Sequence, residues 1–422
     1  MLRVSNLNYA SSATVAFQRM SVIVGDIVLL AGAYRLGAVR GAGRLSAILA
    51  LSTPGLILVD HVHFQYNGML LGLLMLSIAD LEVHRTYRGA ALFCVLLNMK
   101  HIFLYISPVF FVYLLRSHCG CEFGGPRGFR IDFAALVKLA ATVIAVFAMS
   151  LAPIALTGQL AQAARRLFPF GRGLTHAYWA PNVWALYNTA DRVLAKLGFG
   201  EQRGASSTAG FAEVYESTAL WTVTPKATFV LTALAYIPLV VLIWRQTPVA
   251  GGQAARRRHR PGMLAVFVSL GCAVAFTFGW HVHEKAILMV TVPLLTAAVG
   301  SGDRELQQVA AAVSAIGTFS VLPLLPQQRP ETLFKWGLAF AGHGIELAVL
   351  REGGAASSLA SLRVGVLPGW LVLLGVASLG WYCDFGGHQL VFRGRMEFLP
   401  LMLISDFSAV LVLACFARLF RF

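Results

Sequence analysis

Four polar segments interrupt an otherwise apolar sequence, and their residue types could bind phosphate and sugar. Six of the eight residues from Asp60 to Asn67 are polar or ionisable, and Lys100-His101 forms a second, shorter segment. The third segment, 281–285, combines two imidazoles with a carboxylate and an ammonium group. The fourth lies within the long segment 158–217, where aromatic residues alternate with Arg, His and Asn.

These residue types fit a phosphate that carries a sugar. Lysine, arginine and imidazole groups bind phosphate oxygens, and Glu284 could orient a neighbouring group. Aromatic rings stack on sugar faces while polar groups fix hydroxyls. Each segment also has a structural interpretation, which is a hydrated loop for 60–67, a lysine extended to the membrane surface for Lys100, an ion-paired loop for 281–285 and an aromatic belt for 158–217.

Two His-x-His patterns offer a metal-binding alternative. His61 and His63, together with His281 and His283 and the neighbouring carboxylates, could hold zinc in a transporter or a metalloenzyme. Side chains at i and i+2 of a strand point to opposite faces, so both pairs would need a loop geometry that the sequence does not show. We therefore predict no metal and no other cofactor. The 6 cysteines show no zinc or redox spacing.

The elements that must position these residues are membrane helices. Hydrophobic residues make up 57% of the 422 positions, charged residues make up 13%, and the mean hydropathy is +0.70. This composition is far more apolar than that of soluble domains. The net charge of +15 does not indicate nucleic-acid binding, because the basic residues form short clusters between apolar runs.

The apolar runs predict an all-α polytopic protein of about thirteen spans. They lie near 17–35, 45–59, 67–81, 89–99, 102–115, 131–157, 218–244, 263–279, 286–300, 306–325, 332–350, 366–385 and 399–417. Several runs are shorter than a full span, so they must be half-helices or be flanked by protein. The 422 residues are expected to form one integral membrane domain, 1–422, in which 158–217 is a loop.

The basic residues predict the orientation of this domain. If the spans alternate, one side receives basic breaks such as 36–44 and 245–262, and the positive-inside rule makes that side cytoplasmic. All four polar segments then lie on the opposite side, where they predict a shared luminal or extracellular cavity. Arg19 and Asp26 lie near one face of the first helix and are predicted to form an internal ion pair.

At these segments the chain resembles a known family. The motifs that carry the resemblance are Asn6-Leu7-Asn8-Tyr9, Phe17-Gln18-Arg19, Asp60 through Gly68, Lys100-His101, Phe168 through Asn188, and Gly279 through Lys285. Together they resemble the dolichyl-phosphate-glucose-dependent α-1,3-glucosyltransferases of asparagine-linked glycan assembly. The segment with Tyr178, Trp179 and Pro181 is more similar to the enzyme that adds the second glucose than to its sister that adds the first.

The resemblance implies a multi-span glycosyltransferase of the GT-C type in the endoplasmic reticulum membrane, with a luminal active site. The implied reaction moves glucose, with inversion, from dolichyl phosphate glucose to the terminal glucose of a dolichyl-pyrophosphate-linked Glc1Man9GlcNAc2 oligosaccharide. Addition of the first glucose to Man9GlcNAc2 is the alternative. A metal is not required in principle, because phosphate is already a good leaving group.

The resemblance also assigns roles to the candidate residues. The expected ligands of the donor phosphate are His281, His283, Lys285, Lys100, His101 and Arg172. The expected contacts of glucose and the acceptor are His61, His63, Gln65, Asn67, His176, Trp179 and Asn182. Asp60 is the candidate in this chain for the carboxylate that removes the proton from the acceptor hydroxyl.

The sequence departs from the family pattern at its amino terminus. The family carries a further amino-terminal span and a luminal loop with an Asp-Tyr-Pro-Pro motif, whose aspartate is taken as the catalytic base. This motif does not occur in the chain. We therefore expect Met1 to be an internal methionine, the domain to lack its first span and first luminal loop, and the chain as given to show no transfer. An inactive remnant is the alternative.

Overall fold

The computed structural model describes residues 9–125, 128–167, 173–176, 178–199, 217–250, 261–325, 329–354, 363–364 and 367–422. Within these ranges, helices dominate. They are α1 (Ser12–Ala38), α2 (Gly43–Ser52), α3 (Pro54–Ile57), α4 (Asn67–Glu82), α5 (Thr86–Met99), α6 (Ser107–Ser117), α7 (Phe133–Leu156), α8 (Leu160–Leu167), α9 (Val183–Lys196), α10 (Pro225–Gln246), α11 (Met263–Phe278), α12 (Leu288–Ala298), α13 (Arg304–Val321), α14 (Arg329–Glu352), α15 (Gly369–Asp384), α16 (Gly387–Phe392) and α17 (Leu399–Leu419).

Tighter or wider helical turns and two short hairpins complete the described structure. A π-helical turn spans Leu58–Val62, and 3-10 turns span His101–Ile106, Glu284–Ile287 and Leu322–Leu324. The antiparallel hairpins are β1 (Glu122–Gly125) with β2 (Gly128–Arg130), and β3 (Arg363–Val364) with β4 (Leu367–Pro368).

Fewer helices are long enough to cross a membrane than the apolar runs suggested. Among the described residues, six helices have the length and hydropathy of a span, or seven if the bent pair Gly43–Ser52 and Pro54–Val62 is one span. The predicted total of about thirteen is therefore not confirmed. Each apolar run does coincide with helix, but several are short; α4, with 16 residues, is about 24 Å long against a hydrocarbon core of about 30 Å.

The bend between α2 and α3 brings polar residues into the helical bundle. Pro54 begins α3, where its missing N–H costs nothing, and the hydroxyl of Thr53 donates to the carbonyl of Leu49 at 2.8 Å. The two helices meet at an angle of 50°. α3 then continues into the π-helical turn, which contains Asp60 and His61, and such turns are frequent at functional sites.

Small residues let α1 and α4 pack closely. A Cβ atom at Gly32 would lie 2.2 Å from the carbonyl oxygen of Gly72, and one at Gly72 would lie 2.4 Å from the carbonyl oxygen of Val28. Neither position can therefore hold a larger residue without separating the helices. This close contact fixes α4, whose first residue is Asn67, against the π-helical turn at the other end of the bent pair.

The core of the molecule is formed by α11, α12 and α13. Almost every residue of these three helices is buried. By contrast, α7 buries only Ala135 and Leu139 along its 24 residues. An apolar helix that exposes most of its surface requires a lipid environment, since water would not tolerate so large an apolar face. The loop 279–287 leaves this core between α11 and α12 and carries the third polar segment.

Candidate active site

The first and second polar segments meet at the start of α4. The carboxylate of Asp60, which is 2% exposed, accepts hydrogen bonds from Asn67 Nδ2 at 2.8 Å and from the backbone N–H of Gly68. Asn67 Nδ2 also donates to Gln65 Oε1 at 3.1 Å. The other end of the same amide, Asn67 Oδ1, accepts from Lys100 Nζ at 2.8 Å. A continuous hydrogen-bonded chain therefore runs from Asp60 to the ammonium group of Lys100.

The third polar segment reaches the same place through Lys285. Burial lowers the pKa of Lys100, and the nearby positive charge of Lys285 lowers it further, while Asp60 acts in the opposite direction. Two like charges held close together in a poorly solvated region are costly unless an anion joins them. Lys285 therefore lies close enough to Lys100 for its charge to affect the protonation of that ammonium group.

The fourth polar segment packs directly onto the third. Thr175 forms a parallel bridge with Val282, and Trp179 forms an antiparallel bridge with His283. His281 has a positive φ of 51°, and its backbone N–H donates to the carbonyl of Leu174 at 2.9 Å. Its ring Nδ1 donates to the carbonyl of Gly173 at 2.8 Å, which fixes the tautomer of this imidazole.

These bridges assemble three imidazoles and a carboxylate, which we call the imidazole cluster (His176, His281, His283 and Glu284). The ring centroids of His176 and His283 are 4.2 Å apart, and the ring of His281 lies 5.9 Å from the first and 5.4 Å from the second. Glu284 is 2% exposed, and its Oε2 atom lies 3.9 Å from His176 Nδ1. Burial raises the pKa of Glu284 to about 7.

Trp179 connects the imidazole cluster to α9 and α17. Its carbonyl accepts a hydrogen bond from Ser405 Oγ at 2.9 Å, and the guanidinium carbon of Arg192 lies 4.7 Å from the centroid of its ring. Trp179, Tyr178, Ser405 and Glu284 also line a small pocket that is partly open to solvent.

Comparison with known proteins assigns the chain to a family. The model of the ALG6, ALG8 glycosyltransferase family matches residues 1–419. The chain belongs to this family. The resemblance noted in the sequence and the expectation of a glycosyltransferase are therefore confirmed.

Individual relatives agree with the family match. The chain is 38% identical to a probable dolichyl pyrophosphate Glc1Man9GlcNAc2 α-1,3-glucosyltransferase of Drosophila melanogaster, over 100% of the chain and 79% of the relative. It is 38% identical to the Bos taurus protein of that name, over 100% of the chain and 80% of the relative, and 38% identical to the Arabidopsis thaliana protein, over 96% and 79%. These names agree with the enzyme type that Tyr178, Trp179 and Pro181 indicated.

The structure brings most of the residues predicted for this family site together, with one correction in the fourth segment. Asn182 is 1% exposed and caps α9, with its Oδ1 accepting from the N–H of Trp184 at 3.0 Å and its Nδ2 donating to the carbonyl of Phe276 at 2.8 Å. Both ends of the amide therefore bind backbone. This corrects the prediction that Asn182 contacts sugar, since it holds α9 against α11 instead.

A second correction concerns the ion pair predicted in α1. Asp26 forms its ion pair with His61, at 3.1 Å between Oδ2 and Nε2, and not with Arg19, which is exposed. The bent pair of helices places the π-helical turn beside α1, so a partner distant in sequence is closer than the one on the same helix. His61 is thereby assigned to holding α1 against this turn, and its predicted contact with sugar stays a prediction.

Three residues predicted for the site remain to be placed. His63 and His101 are exposed at the edge of the site, and Arg172 lies outside the described residues. Among the described residues, the ligand-type atoms that gather within metal-binding distance belong to His176, His283 and Glu284. The zinc site that the sequence suggested, with His61 and His63 next to His281 and His283, does not form among these residues.

Sequence reasoning missed two residues that contact Trp179. Arg192 lies on α9 and Ser405 on α17, and neither belongs to a polar cluster in the sequence. The sequence did offer one indication for Arg192. It is a single arginine on a helix that directly follows an aromatic segment, and arginine often stacks on indole rings. No comparable pattern marks Ser405, since the helix that carries it is otherwise a typical apolar run.

Proposed function

We propose that this protein transfers glucose from dolichyl phosphate glucose to the terminal glucose of dolichyl-pyrophosphate-linked Glc1Man9GlcNAc2, forming an α-1,3 linkage with inversion. The observation that carries the proposal is the family match over residues 1–419, together with the hydrogen-bonded chain from Asp60 through Asn67 to Lys100. The names of the relatives support the acceptor, because they specify Glc1Man9GlcNAc2. Bilayer lipid would deliver both substrates to the site.

The donor phosphate is assigned to the two lysines. In the reaction the bond between glucose C1 and the phosphate oxygen breaks, a bond from C1 to the acceptor hydroxyl oxygen forms, and the hydroxyl proton leaves. Negative charge therefore accumulates on the departing phosphate, which two ammonium groups stabilise more strongly in the transition state than in the ground state. His281 and His283 precede Lys285 in the same segment and are assigned to this phosphate as further hydrogen-bond donors.

The sugars are assigned to the aromatic side of the site. Trp179 offers a ring that Arg192 and the backbone hold in place, and Tyr178 and Ser405 lie on the same cavity wall. His176 lies between Tyr178 and His283, with ring centroids 6.3 Å and 4.2 Å from its own, and is assigned to a sugar hydroxyl. Gln65 and Asn67 present amides on the opposite side, beside Lys100.

Asp60 acts as a positioning residue in this proposal. Its two oxygens accept hydrogen bonds from Asn67 and from the backbone N–H of Gly68. Both oxygens of the carboxylate are thus occupied as acceptors within the protein. The geometry favours a role in which Asp60 orients the amide of Asn67, which in turn orients Lys100, over the role of proton acceptor.

The proposed location is the endoplasmic reticulum membrane with the site facing the lumen. The apolar helices support a membrane location. The luminal orientation is supported by the charge distribution, since clusters such as Arg256 to Arg260 lie in breaks that the positive-inside rule assigns to the cytoplasm. The polar segments then belong to the opposite side.

The proposal is tested by the lipid-linked oligosaccharides of cells that lack this protein. We expect the monoglucosylated species Glc1Man9GlcNAc2 to accumulate, because its conversion is blocked. Chromatography of the released oligosaccharides after radiolabelling measures this directly. Accumulation of Man9GlcNAc2 would assign the protein to the first glucose, and a normal oligosaccharide profile would reject the transferase assignment.

Rescue of the same cells links the reaction to the site. Expression of the wild-type gene from its own locus sequence should restore the triglucosylated oligosaccharide, whereas the same gene carrying Lys100→Met and Lys285→Met should not. A matched control is Lys138→Met, which removes an exposed lysine on α7, away from the site. Equal protein levels, measured by immunoblot, show that the double variant fails through function and not through degradation.

A further inference from the structure

We propose that Trp221 binds the oligosaccharide of the acceptor by stacking its indole ring on a hexose outside the pocket that Trp179 lines. The ligand class is therefore a mannose-rich glycan. This inference rests on the proposed function and extends it, because it names a second point of contact for the same acceptor. The sequence placed Trp221 in the apolar run 218–244, whereas the structure places it in a loop just before α10.

The exposure of Trp221 is the first observation. The residue is 92% exposed, and no other large hydrophobic residue in the described part of the chain is as exposed. Tryptophan combines a large apolar face with one polar N–H group, and it is enriched at binding surfaces for that reason. Almost the whole side chain of Trp221 is therefore available to a ligand.

A buried carboxylate fixes the backbone beside this ring, in residues 218–221, which we call the clamped loop. Asp191 on α9 is fully buried, and its Oδ1 atom accepts hydrogen bonds from the backbone N–H groups of Ala219 at 2.9 Å and Leu220 at 2.7 Å. Its Oδ2 atom accepts from the N–H and the hydroxyl of Thr218, both at 3.1 Å. A backbone that is ordered before binding reduces the entropy lost when a ligand is bound.

Helix α9 carries the clamped loop on one face and the pocket on the next. Tyr187 and Asp191 are four residues apart, hence on the same face, and both hold the clamped loop. Asn188 and Arg192, each one residue further along, contact the segment that carries Trp179. The loop and this segment are therefore separated by no more than about the width of a helix, which is about 10–12 Å.

The proposed acceptor is much larger than the pocket. The names of the relatives specify an oligosaccharide of one glucose, nine mannoses and two N-acetylglucosamines. The pocket is small and partly open, so it can hold only the reacting end of this molecule. Sugars outside the pocket need contacts of their own if the protein is to distinguish this acceptor from smaller glycans. The clamped loop lies close enough to provide one.

A membrane anchor is the other use of an exposed tryptophan, since this residue type collects at membrane surfaces. Two features favour the glycan. A lipid surface is fluid and does not require a fixed backbone, whereas stacking on one hexose does. Thr222, which is also exposed, places a hydroxyl group directly after the ring, and a polar group beside an aromatic face suits a sugar.

The first test separates acceptor binding from the chemical step. The protein is expressed from its own locus sequence, purified in detergent and assayed with labelled donor and lipid-linked Glc1Man9GlcNAc2. We expect Trp221→Ala to raise the KM for the acceptor by about fivefold or more, with kcat and the donor KM little changed. Trp221→Tyr should keep most of the affinity because it keeps a ring. Trp221→Leu should behave like Trp221→Ala.

A matched control is Trp370→Ala. Trp370 is a second exposed tryptophan, at 60%, and it lies at the start of α15, on the side of the membrane that the charge distribution assigns to the cytoplasm. Its removal should leave the KM for the acceptor unchanged. Equal melting temperatures of the four variants and the wild type show that the changes in KM do not arise from unfolding.

The second test measures contact with the glycan without any glucose transfer. The protein is labelled with fluorotryptophan, and the fluorine NMR resonance of Trp221 is identified by its absence from Trp221→Phe. Addition of lipid-free Man9GlcNAc2 glycan should shift or broaden this resonance. The same concentration of sucrose should leave it unchanged, and the resonance of Trp370 should not respond to either sugar.

Two results would overturn the inference. A wild-type acceptor KM in Trp221→Leu would show that the position requires only an apolar side chain, as a membrane anchor does. A Trp221 resonance that does not respond to the glycan would exclude the contact. The two proposals remain distinguishable, because a protein that transfers glucose normally with Trp221→Ala rejects only this inference. A glycan-dependent resonance in a protein that transfers no glucose rejects only the proposed function.

Discussion

The two ends of α4 carry charged clusters of opposite character. At its carboxyl end, Asp80 is fully buried and accepts hydrogen bonds from Arg35 at 2.7 Å and from Arg88 Nη2 at 2.6 Å. At its amino end, Asn67 connects Asp60 to Lys100, whose other charged neighbour is Lys285. The first cluster pairs opposite charges, while the second brings like charges together.

This difference separates a structural cluster from a functional one. Opposite charges in contact satisfy each other, so the carboxyl-end cluster (Asp80, Arg35 and Arg88) needs no further partner and fixes α1 and α5 to α4. In the amino-end cluster (Asp60, Asn67, Lys100 and Lys285), burial and the charge of Lys285 both disfavour the charged form of Lys100, and an anion bound there would relieve this cost. Substitutions in the two clusters should therefore affect stability and activity in opposite ways.

The largest expected effect is on activity in the amino-end cluster. Lys285→Met should reduce glucose transfer by about 100- to 1000-fold, because it removes one of two cations that stabilise the departing phosphate. Its melting temperature should not fall, since a repulsion with Lys100 is removed at the same time. Transfer is measured with labelled dolichyl phosphate glucose in membranes from rescued cells.

Activity of Lys285→Met within threefold of wild type would exclude this residue from the phosphate site. The exposed lysine of α7 again provides a control, because Lys138→Met should leave both transfer and melting temperature unchanged. A fall in melting temperature equal to that of a carboxyl-end variant would remove the distinction between the two clusters.

The next effect is on stability in the carboxyl-end cluster. Asp80→Asn should lower the free energy of unfolding by about 1–3 kcal/mol, because two guanidinium groups lose the buried carboxylate that they share. The activity of the protein that remains folded should be close to normal. Thermal unfolding in detergent and transfer per folded molecule measure the two quantities.

The control for Asp80→Asn is Glu305→Gln, which breaks the exposed ion pair with Arg418. Exposed pairs contribute about 0–1 kcal/mol, so this variant should unfold close to the wild-type temperature. If the two substitutions lowered the unfolding temperature equally, burial of Asp80 would add nothing to the stabilisation that its ion pairs provide.

A smaller effect is expected from the pH dependence of Lys100. Its pKa in the folded protein is lowered by burial and by Lys285, so the unfolded chain binds more protons just below pH 10.5. Wild-type stability should therefore rise as the pH increases toward 10.5. Lys100→Met should lack this rise, whereas Lys226→Met, at an exposed position, should keep it. Parallel pH profiles of melting temperature for wild type and Lys100→Met would contradict the prediction.

The smallest effect is expected at the ion pair between the π-helical turn and α1. His61→Ala should lower the free energy of unfolding by less than about 1 kcal/mol, because its ion pair with Asp26 is partly exposed. Thermal unfolding in detergent near pH 6 and pH 8 measures this contribution. A loss comparable to that of Asp80→Asn would show that the π-helical turn depends on this pair.

Much of the site could be predicted from residue types. Ionisable residues inside apolar segments are costly, so their presence at 60–67, 100–101 and 281–285 was enough to indicate a functional site. The motifs around them identified the family as well. The pairing within the site could not be predicted, because it depends on the bend at Thr53-Pro54 and on the backbone bridges between distant segments.

Two residues have other partners than the sequence predicted, again because the partners come from distant parts of the chain. Asn182 looks like a sugar ligand in sequence, yet its position as the N-cap of α9 directs both ends of its amide to backbone. Asp26 was expected to pair within its own helix and instead pairs with His61 across the bundle. In both cases the side chain could serve either role, and only the position of its neighbours decides between them.

The sequence by itself determined that this is a membrane protein of helices with its polar residues gathered in four segments, because the cost of burying charge in lipid constrains composition directly. It also determined the family, through motifs that span the chain. Only the tertiary structure decided which charges face each other. It placed Lys100 beside Asn67 and His176 beside His283 and Glu284, because contacts between distant segments are set by helix packing and not by local spacing.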